Sequence, residues 1–216
     1  MDKDTLHLAL EFGGSKNRES SDGIGKFGMG LPNSSISQCK HVDVWSWKSL
    51  DEINYTYLDI DEIKDGQLDY IPIPQKKEIP SSIRSVLGEE LPSSGTFVVW
   101  SKIDRCQWKT GKSIHQHTQD IVGRMYRNFI SDGRVSIRFK SAEFNDGLFI
   151  VDGEGECFKA NDPLYLTKNT SLPELPGTYS GESLFETCYS RSFEIADEFG
   201  VKQEVKLTGS YVKKSI

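Results

Sequence analysis

Apolar positions run through the chain in two rhythms, one helical and one alternating. Leu6, Leu8, Ala9, Leu10 and Phe12 crowd together behind Asp/Thr capping residues and stop at Gly13-Gly14. That grouping predicts a short, largely buried helix over Asp4–Phe12. Ser15–Asp22 is polar throughout and has no period, so it reads as a mobile loop. Gly23, Gly25, Gly28 and Gly30 follow, and Pro32 then suits the first turn of a helix reaching about Cys39. Val42–Lys48 is β-rich, Ser49–Glu52 is a turn, and Ile53–Ile60 completes a hairpin. A third strand is expected near Leu68–Ile73 and a short helix over Pro80–Leu87. Thr96–Ser101 is apolar on both faces, as a central strand would be.

Beyond Trp108 the spacing of Ile114, Ile121, Val122, Met125, Tyr126, Phe129 and Ile130 becomes helical and predicts a helix over Gln116–Ser131, ended by Asp132-Gly133. Tyr126 and Phe129 belong to its core face. Val135, Ile137 and Phe139, then Leu148–Val151 and Val201–Leu207, predict a second sheet. Asn161–Gly181, with three prolines, reads as a connector. These changes place a boundary near residues 104–114, dividing the chain into domains 1–105 and 106–216. The length of 216 residues allows two small domains of this kind.

Charge and cysteine usage exclude several function classes. Lys plus Arg number 26 against 32 Asp plus Glu, and the resulting net charge of −6 does not favour nonspecific nucleic-acid binding. Arg124, Arg127, Arg134 and Arg138 leave DNA open as a partner only as a local basic face, against a plain solvated surface. No apolar run approaches the ~20 residues that cross a bilayer, and the start Met-Asp-Lys-Asp has no secretory pattern, which points to the cytoplasm and away from membranes. Cys39, Cys106, Cys157 and Cys188 form no C-x-x-C pair and read as reduced thiols. His115 and His117 lack further ligands and read as a solvated helix start.

The chemistry concentrates in residues 22–35, Asp-Gly-Ile-Gly-Lys-Phe-Gly-Met-Gly-Leu-Pro-Asn-Ser-Ser. Glycines let backbone amides approach a polyanion, and a helix that starts at once adds unpaired amides and its dipole. Lys26 supplies a point charge for a β- or γ-phosphate, while Ser34 and Ser35 can cap the helix or touch ligand. Gly23–Gly28 formally satisfies G-x-G-x-x-G, but the dinucleotide motif needs a hydrophobic strand before it, and Lys16–Asp22 is polar. Gly111-Lys112-Ser113 lacks the earlier Walker glycine, whose place Cys106 holds, and no H-R-D or D-F-G supports a kinase loop.

The fuller run Gly25-Lys-Phe-Gly-Met-Gly-Leu-Pro-Asn-Ser-Ser-Ile-Ser-Gln-Cys resembles the lid glycine box of the GHKL ATPases: gyrase B, the ninety-kilodalton heat-shock chaperone, histidine kinases and MutL. Its flavour is closest to the MORC-like branch. Leu6–Ser15 resembles the helix and turn after the family's D-x-G-x-G-Met box, and Ser94-Gly95-Thr96-Phe-Val-Val-Trp its Gly-Thr strand. The resemblance covers residues 1–105. Gly123-Arg-Met-Tyr-Arg127 and Asn161-Asp-Pro-Leu-Tyr-Leu166 look like the start of a transducer-type domain. It implies an α+β fold: a partial Bergerat-type sandwich, a mixed sheet covered by helices, followed by part of an α/β transducer domain. It also implies ATP as ligand, held by Met1, Gly23, Gly25, Lys26, Phe27, Gly28, Met29, Gly30 and Thr96, with Thr96 facing the adenine. Ser15–Gly30 would order over the nucleotide.

The family's E-x-x-x-N and D-x-G-x-G motifs are absent from residues 1–216. Met1 aligns with the methionine closing the second, so the general base, the Mg ligand and the adenine-reading aspartate are expected upstream. No catalytic residue is assigned, and Lys202, Lys206, Lys213 and Lys214 are equivalent candidates for a second-domain lysine. Losing a positioned base typically forfeits ~10²–10⁴ in rate, so the expectation is an ATP-binding portion incomplete for hydrolysis. It would be completed by an upstream segment or partner chain, with a homodimer possible. The alternative is a non-catalytic relic that keeps the lid and sheet for protein contacts.

Overall fold

The computed structural model describes residues 1–16, 18, 25–88, 90–164 and 185–212. They fall into two units, residues 1–109 with 142–151 and residues 110–141 with 152–216.

The first unit is organised by strand β1 (Cys39–Trp47), which pairs antiparallel with β2 (Ile53–Asp59) on one side and β4 (Gly95–Ile103) on the other. The two-residue β3 (Gln75–Lys76) extends the sheet to the order β3-β2-β1-β4. Strand alternation sends Val42, Val44 and Ser46 to one face, in register with Leu58, Thr56 and Asn54 on β2 and with Trp100, Val98 and Thr96 on β4. Helices α1 (Lys3–Leu10) and α2 (Gly30–Ile36) cover that face, where Leu6, Leu10, Val42, Val44 and Leu58 are buried together. Each such aliphatic side chain contributes about 1.5–3 kcal/mol on burial. Asp2 caps α1, its carboxylate accepting from Thr5 N at 2.9 Å. The opposite face buries Trp45, Trp47 and Ile79 beneath Ile83, Leu87 and Leu91, which follow or belong to α4 (Ser81–Arg84). The architecture is mixed α+β, an antiparallel sheet with helices, in keeping with the expected partial sandwich.

Two strand expectations are corrected. Residues 68–73 form no strand, and pairing begins only at Gln75, because Pro72 and Pro74 have no amide to donate. Strand β4 lies at the end of the sheet order instead of its centre. Its two-sided apolar character arises because Phe97 and Val99 pack on the Trp45 cluster while Val98 and Trp100 face the helix side.

A polar cluster closes the other end of the sheet. His41 Nδ1 lies 2.7 Å from Asp59 Oδ2 and its Nε2 3.2 Å from Asp43 Oδ2, while Tyr55 donates to Asp43 at 2.6 Å and Lys102 to Asp59 at 2.8 Å. Asp59 also caps α3 (Ile60–Lys64) through the amides of Asp61 and Glu62. The hydrogen bond to Asp43 leads in raising the His41 pKa above the ordinary 6.5, burial opposes it, and Asp59 adds to it. A raised histidine pKa stabilises the fold fully below 6.5, and that contribution is lost as pH rises through the folded value. The melting-temperature gap between wild type and His41→Gln is therefore expected to be widest below pH 6 and to narrow on the alkaline side. A gap that widens with pH would contradict this.

In the second unit, α5 (Gly111–Met125) is followed by α6 (Arg127–Ser131), with the break at Tyr126. The helix starts earlier than its apolar spacing indicates because Thr110 caps it, accepting from Ser113 N. Strands β5 (Arg138–Asn145) and β6 (Leu148–Cys157), of which residues 142–151 belong to the first unit, pair with one another, and β5 begins after Val135 and Ile137. Strands β7 (Phe185–Ala196) and β8 (Lys202–Val212) form an antiparallel hairpin. Its turn is fixed by Asp197, whose carboxylate accepts from the amides of Phe199 and Val201. Of the connector expected over Asn161–Gly181, residues 165–181 lie outside the described residues.

Candidate functional site

The glycine loop enters the structure at Gly25; Gly23 and Ile24 lie outside the described residues. Gly28 adopts φ 62°, a left-handed conformation open chiefly to glycine, and a Cβ there would stand 2.2 Å from the carbonyl oxygen of Gly14. The contact is mutual, since Gly13 N donates to Gly28 O at 3.2 Å. Thus the turn after α1 seats the loop that precedes α2. Ser15 Oγ adds a long contact of 3.5 Å to Gly25 O, and Arg18 donates to Gly13 O at 2.9 Å. Lys26 and Phe27 are exposed, and Lys26 makes no ion pair among the described residues.

Helix α2 has Met29 at its N-cap with no side-chain cap, and its first intrahelical amide bond runs from Asn33 to Met29 O. The amides of Gly30 and Leu31 therefore have no acceptor within the helix, and Pro32 has none to offer. Ser34 and Ser35 do not cap it. Both hydroxyls turn back to Leu31 O, at 3.2 and 2.7 Å, and the buried Ser35 also accepts from Trp100 Nε1 at 3.0 Å. Ser35 thus ties α2 to β4.

Thr96 is exposed on the helix side of β4, beside Val98 and Trp100. The preceding Gly95 is required by packing, since a Cβ would lie 2.6 Å from the Trp47 ring. Trp47 is held in turn by its Nε1 donating to Pro92 O at 2.8 Å. Met1 packs on the Leu6–Val44 core, and its nitrogen donates to Ser46 Oγ, which lies 2.9 Å from Thr96 Oγ1. The structure therefore joins Met1 to Thr96 through Ser46, and Gly28 to Gly13-Gly14. The motif pattern does not single out Ser46. Its position two residues after Val44 in an alternating strand, opposite the Gly-Thr strand, is the signal that could have found it.

Other candidates fall apart. His115 is half-buried and not solvated, stacked on Phe139 with centroids 4.9 Å apart and 3.5 Å from Glu156. Arg134 pairs with Asp132 and Arg138 with Glu154. Cys39, Cys106 and Cys157 are free thiols. Among the described residues no group of three His, Cys, Asp or Glu side chains is placed to hold a metal, and no helix is long and apolar enough to cross a membrane. A cleft of about 570 Å³, lined in part by Ile53, Lys77, Ile79, Arg84 and Leu91, shares no residue with the loop or with Thr96. Its lining mixes the cations Lys77 and Arg84 with Glu78 and Glu90 around the apolar Ile53, Ile79 and Leu91.

No curated protein matches the chain. Residues 1–90, which hold α1, the glycine loop, α2 and the first three strands, match the family described as Histidine kinase-, DNA gyrase B-, and HSP90-like ATPase, and this match supports the GHKL superfamily and an ATP-binding function for that part of the protein.

Proposed function

We propose that the first unit binds ATP, with the phosphates at Gly25–Gly30 and the base towards Thr96 and Met1. The observation that carries this is the placement of the loop. Gly28 is locked against the turn after α1, Lys26 makes no ion pair among the described residues, and the chain passes directly into the start of α2, which has no side-chain cap. Amides at such a turn favour anions, and the Lys26 ammonium adds a point charge. Phe27 and Met29 are exposed on either side of Gly28 and flank the phosphates in this reading. Gly23 extends the same loop by sequence.

Mg²⁺ accompanies ATP in this superfamily, but among the described residues no group of three His, Cys, Asp or Glu side chains is placed to hold it. The output of nucleotide binding in this reading is conformational. The further placement in the MORC-like branch rests on the motif resemblance. The transducer reading of the second unit is supported by a contact between its two quoted segments: Asn161 N donates to Gly123 O at 3.0 Å and Asn161 Nδ2 to Asp120 O at 3.3 Å.

Calorimetry with a non-hydrolysable ATP analogue tests the phosphate site. Lys26→Ala is expected to weaken the analogue about tenfold, the value of one charge-assisted contact, and to leave adenosine binding unchanged. Equal affinities for both proteins would remove Lys26 from the site.

A further inference from the structure

Strand β3 ends the sheet order, and no strand lies beyond it among the described residues. Lys77 N donates to Ile53 O at 3.0 Å and Gln75 stands opposite Tyr55, so the backbone groups of residues 75 and 77 turn towards β2. Antiparallel alternation turns the amide and carbonyl of Lys76 the other way, to the open edge. Proteins blunt such edges by keeping them short and charged, and a two-residue strand with a lysine meets that rule. Edge protection alone does not account for the cleft beside it.

Lys76 lines the cleft of about 570 Å³, a volume within the roughly 300–1,000 Å³ of ligand sites. The floor of the cleft belongs to the Trp45 cluster, with Ile79 buried and Ile53 and Leu91 half-buried. Around it Lys76, Glu78, Arg84 and Glu90 are exposed, and none of them makes an ion pair among the described residues. Lys77 differs, its ammonium lying 3.7 Å from the centroid of the Tyr55 ring. The unpaired charges are therefore of both signs. A phosphate or fatty-acid ligand would leave the glutamates uncompensated, and a polyamine the cations. A peptide brings both signs, an apolar side chain for the floor and backbone groups for the edge.

We propose that β3 and this cleft form a docking site for an extended peptide segment of a partner protein. The segment adds as a strand along Lys76 and places an apolar residue on the Ile53–Ile79–Leu91 floor. Arg84 and Glu90, which line the cleft from outside the sheet, meet an acidic and a basic residue of the segment. Because β3 offers one outward residue, backbone pairing sets the register and apolar burial supplies most of the affinity. The site is independent of nucleotide binding, since the cleft shares no residue with Gly25–Gly30 or Thr96.

The test uses the full chain and a library of blocked octapeptides, each with a central leucine, valine or phenylalanine flanked by positions drawn from glutamate, lysine and serine. Selection is expected to return peptides that carry both glutamate and lysine. By fluorescence anisotropy, Arg84→Glu, a change at an exposed position, is expected to weaken a selected peptide about tenfold. A version of that peptide with its glutamate replaced by lysine should recover most of the loss on the variant alone. A general loosening of the fold would not produce such a charge exchange. Methylating alternate backbone amides of the peptide separates strand addition from simple apolar capture: the set that faces Lys76 should cost about tenfold, and the other set under about twofold. Selection of no peptide or of peptides of one charge sign, affinity unmoved by Arg84→Glu, or equal losses for the two methylated sets would overturn the proposal.

Discussion

Gly28→Ala is expected to cut affinity for an ATP analogue by about tenfold to a hundredfold with little loss of global stability. The alanine Cβ would be forced within 2.2 Å of Gly14 O, and the residue would sit at a φ of 62° that costs a non-glycine residue about 1–3 kcal/mol. Neither penalty can be relieved by a side-chain movement, because the obstructing atoms are backbone. The loop must leave Gly13-Gly14, and the amides that face the phosphates lose their alignment. Gly30→Ala is the matched control. It lies at the start of α2, a Cβ there meets nothing within 4 Å, and alanine is the better helix former. Calorimetry on the two variants is expected to show a large loss for the first and under about a twofold change for the second. Similar losses at both positions would mean that glycine is needed along the loop for some reason other than its docking.

The second large effect is on folding. Asp59→Ala is expected to destabilise the first unit by about 2–3 kcal/mol in urea denaturation, from a lost helix cap near 1 kcal/mol plus charge-assisted hydrogen bonds. The Asp59 carboxyl is almost fully buried, yet it accepts from Lys102, His41 and the amides of Asp61 and Glu62. Burial pushes its pKa up, but the bonds from Lys102 and His41 and from the two amides outweigh it and hold the carboxyl well below the ordinary range. Lys102 is half exposed, so its share is discounted for solvent screening. It is also held at a φ of 51°, an unusual conformation for lysine that the Asp59 contact helps to maintain. Asp59→Asn keeps a side-chain oxygen for the α3 cap and should recover about 1 kcal/mol of the loss. If the two variants were equally destabilised, the cap would contribute nothing. If neither were destabilised, the cluster would not hold this end of the sheet.

The strands and helices of the first unit were largely legible because each has one dominant rhythm. Val42, Val44 and Trp45, Trp47 alternate cleanly, and Leu6 and Leu10 mark one face of α1. What the pattern could not show was decided by contacts between distant residues. The edge position of β4 is invisible locally, since Thr96–Ser101 is apolar on both faces whether a sheet continues beyond it or not. Prolines at 72 and 74 outweighed the apolar residues around them. At the candidate site the glycine spacing singled out the phosphate loop, but the distinct need for Gly28 depends on Gly14, fourteen residues earlier. Ser46 carries no motif, and it emerges only from its register against Thr96. The serines of α2 illustrate the reverse. Their position suggested caps, whereas both hydroxyls are satisfied by Leu31 O within the helix.

The most direct test of ATP binding at the glycine loop is amide hydrogen exchange on the full chain, with and without a non-hydrolysable ATP analogue and Mg²⁺. Protection is expected in Gly25–Ile36 and around Gly95–Val98, and it should be lost in Gly28→Ala. Protection confined to the cleft lined by Ile53, Ile79, Arg84 and Leu91, or no change anywhere, would contradict it.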